Sequence, residues 1–203
     1  MKTATLNSKA RVNEVVDIHM QSFTGFFLTF LGKGFLRQLY QGFIEHENSG
    51  LLVAIEDNKI VGFLAYSSDL SGFYKYLIKR HFISLGWYAG IAFIRKPKIF
   101  LRLIRAFKYS DEAKRKEKYV ELSSIGVSPE KAKKGVGSNL IDVLKSKVNG
   151  KKYQYIKLET DANNNEIANG FYKKNGFVLD HEYVTHEGRR MNEYRFYLSE
   201  EGT

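Results

Sequence analysis

The residues best suited to chemistry lie in a loop with two glycines, Gly135 and Gly137, between a β-type run and a helical pattern. Glycine has no side chain beyond hydrogen, so the backbone can approach a ligand closely at both positions. A helix N-terminus offers free amide groups and a partial positive charge, which together bind phosphate. The loop therefore predicts a phosphate-binding site with the candidate residues Lys133, Lys134, Gly135, Val136, Gly137 and Ser138.

The loop differs from two familiar phosphate-binding loops. Its lysines precede the glycines and no Gly-Lys-Ser or Gly-Lys-Thr follows, so it is not a Walker loop, and it lacks the GxGxxG spacing of dinucleotide-binding folds. The glycine pair alone also fits a helix N-terminus where glycine serves only close packing. Both interpretations stay open on the loop alone.

The elements around the loop predict an α/β or α+β domain with a mixed sheet flanked by helices. Apolar periodicity predicts helices at 13–22, 34–47 and 135–148. A further helix is predicted to begin at a capping box of Asn163 and Glu166 and to end near Asn175-Gly176. Two or three helices, one starting at Pro97, are predicted within residues 70–109. Strands are predicted at 51–56, 59–66, 119–127, 153–160, 177–185 and 191–198.

Composition limits the class of protein. With 203 residues and a hydrophobic fraction of 43%, the chain is expected to form a single domain over 1–203. It has no cysteine, which excludes disulfides, thiolate metal sites and a cysteine nucleophile, and no metal is expected. A signal peptide and a stretch of about 18 apolar residues are both missing, so a cytoplasmic protein is expected.

The positive charge is concentrated in residues 70–109, which hold nine basic residues and no acidic one. Three interpretations remain: a solvated basic face on helices that cover the core, a patch for an acidic substrate, or a membrane-surface contact. Amphipathic helices rich in basic and aromatic residues suit the last of these. Nucleic acid is not expected as a partner, because no recognition module is visible.

Two motifs carry a family resemblance. The first is Ile125-Gly126-Val127-Ser128-Pro129-Glu130 followed by Gly135-Val136-Gly137, and the second is Asn165-x-x-Ala168-x-x-Phe171-Tyr172-x-x-x-Gly176-Phe177. Together they resemble the GNAT superfamily of acyl-CoA-dependent N-acetyltransferases over about residues 118–180. The resemblance implies a GNAT-like, mostly antiparallel sheet. The chain departs from the family at Ala132, where Gln or Arg is usual; backbone amides supply most of the anion binding, and Lys133 or Lys134 would compensate.

The resemblance also implies roles for single residues. Acetyl-CoA would be the co-substrate, with its pyrophosphate on the glycine loop. The backbone of Ile125 and Val127 would pair with the pantetheine arm where two parallel strands splay apart, and Asn165 would contact that arm. The Tyr172 hydroxyl would lie near the thioester sulfur as a general acid, since a phenol of pKa about 10 can protonate a departing thiolate of pKa about 8.5.

An attacking amine must lose a proton, so a base or a water relay is needed. Glu121 is the first candidate, because it precedes Val127 by six residues on one predicted strand and alternation puts both side chains on one face. Some GNAT proteins carry a catalytic glutamate at a similar place. Ser123 shares that face and could position water, and the weaker alternatives are Glu159, His181 and His186.

These observations predict an N-acetyltransferase that moves an acetyl group from acetyl-CoA to a primary amine of a small molecule, such as an amino sugar or a nucleotide-linked amine. The alternative is a non-catalytic GNAT-like module that binds acyl-CoA or docks on a membrane surface through 70–109. Glu121 and Tyr172 together favour the enzyme, because a pure binding module needs neither. The acceptor, the acyl chain length and the formation of a homodimer stay open.

Overall fold

The structure is a computed structural model that describes residues 1–24, 27–95, 117–186 and 188–199. Within these ranges the strands are β1 (Lys2–Thr5), β2 (Ser49–Glu56), β3 (Lys59–Ser67), β4 (Tyr119–Val127), β5 (Tyr155–Asp161), β6 (Val178–Val184) and β7 (Arg190–Tyr197). The α-helices are α1 (Val12–Ser22), α2 (Phe27–Phe30), α3 (Gly32–Glu45), α4 (Leu70–Arg95), α5 (Val136–Lys147) and α6 (Glu166–Lys174). Short 3-10 helices lie at Lys9–Arg11 and Pro129–Lys131.

The strands form one seven-stranded sheet in the order β1-β2-β3-β4-β5-β7-β6. β4 and β5 pair in parallel, and every other neighbouring pair in this order is antiparallel. A parallel pair needs a crossover connection, which α5 provides between β4 and β5. The mixed, mostly antiparallel sheet flanked by helices that the sequence predicts is confirmed.

Two apolar clusters pack on opposite faces of this sheet. Alternation in β2 separates them, because Leu51 and Val53 join one cluster whereas Leu52 joins the other. The first cluster contains α1, α3 and the start of α4, and we call its side of the sheet the α3 face. The second contains α5, and we call its side the α5 face. The residues that α5 buries are spaced for one helical stripe: Val136, Leu140, Ile141 and Leu144.

The hairpin between β2 and β3 follows the sequence prediction. Asp57 and Asn58 have positive φ angles of 49° and 59°, as a two-residue type I′ turn requires. That turn matches the right-handed twist of the strands it joins, and it pairs Ile55 with Ile60. The register then shifts by one residue, because Ala54 pairs with Gly62.

Two short elements were not predicted from the sequence, α2 and β1. β1 has four residues with too little apolar pattern, and it is held by pairing with β2. α4 consists of two helical segments that join at a kink, where His81 has the non-helical angles φ −120° and ψ 22°, and this agrees with the prediction of more than one helix in this stretch. Residues 96–116 lie outside the described residues, and with them the predicted helix start at Pro97 and five of the nine basic residues of the stretch 70–109.

The start of α6 also corrects a prediction. The helix begins at Glu166 with Asn165 as its N-cap residue, so the capping box predicted at Asn163 is wrong by two positions. Asn164 has a φ of 54°, which turns the chain just before the helix. The side chain of Asn165 makes no capping hydrogen bond and is used elsewhere.

Among the helices in the described ranges, none combines the length and the apolar character needed to cross a lipid bilayer.

Candidate active site

The parallel strands β4 and β5 separate soon after they meet. They pair at Tyr119, Val120 and Glu121 of β4, and the last of these lies opposite Lys157 of β5. Beyond this point β4 stays paired with β3 as far as Val127, and β5 stays paired with β7. The strands therefore diverge into a gap, which we call the fork, between residues 122–127 and 158–161. Glu121 and Lys157 form its vertex.

Backbone groups of β4 point into the fork. The amide of Ser128 donates to the carbonyl of Val61 at 2.9 Å, so Val127 and Gly62 form a non-hydrogen-bonded pair of the antiparallel ladder. By alternation, the amides and carbonyls of Val127 and Ile125 point away from β3. The Ser22 hydroxyl donates to the Val127 carbonyl at 3.0 Å. Both residues that the sequence analysis assigned to the pantetheine arm thus direct polar groups towards the gap.

A bulge in β4 corrects the prediction that Glu121 and Val127 share a face. The pairing with β3 shifts register between Ala65 and Tyr66, which face Ser124 and Leu122. Because of the extra residue, Leu122 and Val127 both pack on the α5 face although five positions separate them. Glu121 therefore lies on the α3 face, opposite to Leu122. Lys157 lies on the same face as Glu121, because its neighbours Ile156 and Leu158 belong to the cluster on the α5 face. Glu121 and Val127 thus border the fork on opposite faces of the sheet.

Glu121 is a partly buried carboxylate next to a buried ammonium group. Its side chain is 16% exposed, and its Oε2 lies 3.4 Å from the Nζ of Lys157. Burial raises the pKa of Glu121 to about 7, although the positive charge of Lys157 acts against this. Nearby carboxylates raise that pKa further. A carboxylate that titrates near neutral pH suits a general base.

Sequence reasoning missed Lys157. Its side chain is only 7% exposed, and its Nζ lies 2.8 Å from Glu159 Oε1 and 3.9 Å from Glu193 Oε2. Burial alone lowers its pKa, but the charges of Glu121 and Glu159 outweigh this effect and raise the pKa above the ordinary lysine value. The signal was available in the sequence: a lysine between Ile156 and Leu158, in the apolar first half of the strand, points to the opposite face from these two residues.

The glycine loop closes onto the N-terminus of α5. Gly135 is the N-cap residue with a φ of 80°, a conformation that favours glycine, and nothing lies within 4 Å of where its Cβ would be. The first intrahelical bond runs from the Asn139 amide to the Gly135 carbonyl at 3.0 Å. The preceding amides at Val136, Gly137 and Ser138 therefore have no partner within the helix.

The lysines of the loop divide into two groups. Lys131 pairs with Glu56 on β2, so its charge is used within the fold. Lys133 and Lys134 are exposed, and neither forms a salt bridge within the described residues. Ala132 is also exposed and has no polar group to offer. Two solvated cations thus stand beside free helix-terminal amides, as the sequence predicts for a phosphate site.

α6 packs against this helix N-terminus through a close contact at Gly137. A Cβ on Gly137 would come within 2.9 Å of the Phe171 ring and 3.7 Å of Val127. Glycine is therefore needed for close packing at this position, whereas the phosphate-binding role of the loop stays a prediction. The contact brings the helix that carries Tyr172 next to the fork.

Tyr172 lies on the α5 face, opposite to Glu121. Its ring centroid is 6.1 Å from those of Phe177 and Tyr194. Burial raises the pKa of its hydroxyl to about 12, so the group stays protonated at neutral pH. Among the described residues, the hydroxyl makes no hydrogen bond to protein, which leaves it available to a ligand.

Asn165 has a structural task. Its side-chain nitrogen donates to Thr160 Oγ1 at 2.7 Å and to the Asp161 carbonyl at 3.3 Å, which ties the start of α6 to the end of β5. Asn169, which sequence reasoning missed, donates to the Asp161 carbonyl and accepts hydrogen bonds from Asn192 and Tyr194. These amides hold α6 in its place beside the fork. The predicted contact of Asn165 with the cofactor arm stays a prediction.

The alternative bases lie in less suitable places. Glu159 is held between Lys157 and the Tyr183 hydroxyl, which donates to it at 2.6 Å. His181 is exposed beside Asp180, at 2.7 Å, and His186 is exposed in the β6–β7 turn region. The hydroxyl oxygen of Ser123 is buried without a hydrogen-bond partner in the described part of the chain. Of these candidates, Glu121 is the one at the vertex of the fork.

A buried series of hydrogen-bonded side chains lies beside the bulge on the α3 face. His19 Nδ1 is 2.7 Å from the Tyr40 hydroxyl, and this hydroxyl is 3.4 Å from Ser124 Oγ. Burial lowers the pKa of His19 to about 4, so the ring is neutral at pH 7. These hydrogen bonds link α1 and α3 to the bulged part of β4.

Comparison with known proteins supplies a family. The model of the "Acetyltransferase (GNAT) family" matches residues 12–177. A search of curated proteins found no match. Among solved structures, a ribosomal-protein-alanine N-acetyltransferase from Brucella melitensis has a TM-score of 0.61 at 14% identity, covering 98% of this chain and 100% of that one. The ribosomal-protein-S18-alanine N-acetyltransferase from Escherichia coli has a TM-score of 0.59 at 13% identity, covering 98% and 94%.

A third structure contains the expected co-substrate. It is a candidate streptothricin acetyltransferase from Bacillus anthracis in complex with acetyl coenzyme A. Its TM-score is 0.51 at 19% identity, and the match covers 79% of this chain and 68% of that one. At these identities the three structures establish a shared fold.

Proposed function

Because the chain belongs to the GNAT acetyltransferase family, we propose that it transfers the acetyl group of acetyl-CoA to a primary amine of a small molecule. The observation that carries this proposal is the fork. A carboxylate whose pKa is raised by burial lies at its vertex, backbone groups that the sheet does not use line one side, and free helix-terminal amides lie at the neighbouring end of β4.

The residues around the fork fit acetyl-CoA. The amides of Val136, Gly137 and Ser138 would donate hydrogen bonds to the pyrophosphate, with Lys133 and Lys134 supplying positive charge. The open space beside Gly135 leaves room for the phosphates. The polar groups of Ile125 and Val127 would pair with the amides of the pantetheine arm, as a missing strand would. Asn165 would add a contact at the start of α6.

The reaction follows from two side chains on opposite faces. The amine nitrogen attacks the thioester carbonyl carbon, and its proton passes to Glu121 directly or through water. The carbon–sulfur bond then breaks, and the departing sulfur takes the hydroxyl proton of Tyr172. Since burial raises the pKa of Tyr172, the transfer is efficient only if the sulfur is desolvated as well, which raises the basicity of a thiolate in the same gap. The products are an amide and free CoA.

The acceptor would approach from the α3 face, where Glu121 lies. Tyr74 of α4 lies near this side, because burial raises the pKa of its hydroxyl and the negative charges of Glu121 and Glu159 raise it further. A nucleotide-linked amine and an amino sugar are the first acceptors to test.

The test measures free CoA released by the full chain with acetyl-CoA and a panel of amines. The panel contains amino sugars, nucleotide-linked amino sugars and simple alkylamines, and calorimetry measures acetyl-CoA binding separately. We expect CoA release above the rate of uncatalysed hydrolysis with at least one amine. Binding without release for any amine would instead identify a non-catalytic module, and absence of binding would reject the assignment of the fork to acetyl-CoA.

A further inference from the structure

Lys157 is one member of a charged cluster around Glu121 to which five elements contribute. β5 supplies Lys157 and Glu159, and β7 supplies Glu193 with Arg195 bound to it at 2.9 Å. α4, β4 and β6 each contribute a tyrosine, and these are Tyr74, Tyr119 and Tyr183. β3 places the neutral Ser67 opposite Glu121. Lys157 is the cation of this cluster that lies nearest to Glu121.

The geometry gives Lys157 three carboxylate neighbours at unequal distances. Its Nζ is 2.8 Å from Glu159, 3.4 Å from Glu121 and 3.9 Å from Glu193. Glu193 is fully buried, yet Arg195 compensates its charge. Glu159 is fixed by its second hydrogen bond, from Tyr183 at 2.6 Å. Lys157 is thus anchored by groups other than Glu121, and it stays beside Glu121 whichever state that carboxyl adopts.

A buried carboxyl surrounded by two further carboxylates would hold its proton without such a cation. Burial favours the neutral form of Glu121, and the charges of Glu159 and Glu193 act in the same direction. Lys157 opposes all three effects. The backbone pairing of Glu121 with Lys157 fixes the two residues at the same level of the sheet, so the ammonium group is held at the vertex by the fold itself.

We propose that Lys157 is a positioning residue for the reaction, which keeps the Glu121 carboxylate charged and oriented into the fork so that it can accept a proton. This inference rests on the proposed function only in the role given to Glu121. Lys157 needs no contact with either substrate, because its Nζ is already occupied by the carboxylates of the cluster.

The test is a titration of Glu121 by NMR, with glutamate carboxyl carbons labelled with ¹³C and the signal assigned by its loss in Glu121→Gln. Four proteins are compared: the wild type, Lys157→Met, Lys157→Arg and Glu159→Gln. Removing the cation in Lys157→Met should move the Glu121 midpoint to higher pH by about 1 to 3 pH units, the range for a charge at this distance. Glu159→Gln removes a competing negative charge, so the midpoint should move to lower pH. Lys157→Arg keeps the charge and should leave the midpoint near that of the wild type.

Once an acceptor amine is known, kcat/KM can be measured against pH. The midpoint of its fall at low pH should move to higher pH in Lys157→Met, to lower pH in Glu159→Gln, and little in Lys157→Arg. A purely structural role for Lys157 predicts loss of folded protein without a change in the Glu121 midpoint. An unchanged midpoint in Lys157→Met would overturn the proposal. If Lys157→Met does not fold, Lys157→Gln, which removes the charge but keeps a polar side chain, takes its place, and an unchanged Glu121 midpoint in this variant would overturn the proposal equally. The titration uses no substrate, so failure to find any turnover would count against the proposed function and not against this inference.

Discussion

The two ends of the fork present different parts of the chain. At the vertex, β4 is paired on both sides and presents two largely buried side chains, Glu121 and Lys157. At the open end, β4 is paired only with β3 and presents backbone amides, with solvated lysines beyond them.

Under the proposed function, this difference would let one strand serve both binding and catalysis. A base must be held in one orientation in a poorly solvated place, which two-sided pairing provides. A long flexible ligand is better bound by a series of main-chain groups that need no rotamer ordering. Substitutions at the vertex should therefore reduce turnover, and substitutions at the open end should reduce affinity for acetyl-CoA.

The largest effect is expected at the vertex. Glu121→Gln keeps the shape of the side chain but removes the base, so kcat/KM for the amine should fall by about 10²- to 10⁴-fold. Steady-state assays at pH 7 measure this, with the exposed Glu182→Gln as the matched control. Activity within twofold of the wild type would remove Glu121 from the mechanism.

Tyr172→Phe should have the next largest effect. The ring stays packed against Phe177 and Tyr194 while the proton donor is lost, so kcat should fall by about 100-fold with little change in KM for acetyl-CoA. Stopped assays of CoA release give both constants. A rise in KM at constant kcat would show that the hydroxyl binds the co-substrate instead.

An intermediate effect is expected for Val127→Pro. Proline removes the amide that points into the fork, and the β3 ladder does not use this amide, so the sheet should remain intact. Loss of one hydrogen bond should weaken acetyl-CoA binding by about 3- to 10-fold in calorimetry. Val127→Ala is the control, because it also loses side-chain packing but keeps the amide. Equal affinities for the two variants would contradict the assignment.

The smallest effect is expected at the exposed lysines. Lys133→Ala with Lys134→Ala should lower acetyl-CoA affinity by about 2- to 5-fold at low salt, since exposed charges contribute little each. The difference should shrink at high salt because of screening. The control removes two lysines at the opposite end of α5, by Lys147→Ala with Lys151→Ala. A similar loss in the control would assign the effect to net charge alone.

Periodicity and turn chemistry predicted much of the fold and one half of the site. The apolar stripe of α5, the turn at Asp57-Asn58 and the two glycines are local signals, and the structure has each of them where the sequence indicated. The prediction that Glu121 and Val127 share a face of the sheet was wrong because β4 contains a bulge. A bulge depends on the pairing with β3 and cannot be recognised from the residues of the strand alone. β1 was missed for a similar reason, since its short strand is stabilised by β2.

The other half of the site depends on contacts between distant strands. Glu121 could be found as a carboxylate on a β-type run, but its pKa depends on Lys157, Glu159 and Glu193, which belong to β5 and β7. Lys157 was visible as a charge between two apolar residues of β5, yet its partners on β4 and β7 follow only from the strand order. Asn169 could not be recognised as a structural residue from the sequence, because its hydrogen bonds with Asn192 and Tyr194 depend on the packing of α6 against β7.

The fork also bears on aggregation, because an unpaired strand edge is a template for pairing with another chain. The outer edges of the sheet are poor templates: β1 has four residues, and β6 carries Asp180, His181 and Glu182. The open half of β4 is an edge as well, yet it lies within the sheet, between β3 and β5, beside the N-terminus of α5. A neighbouring chain would have to enter between two strands that meet at Glu121 and Lys157. The protein can thus leave backbone groups free for a slender ligand without offering them to another copy of itself.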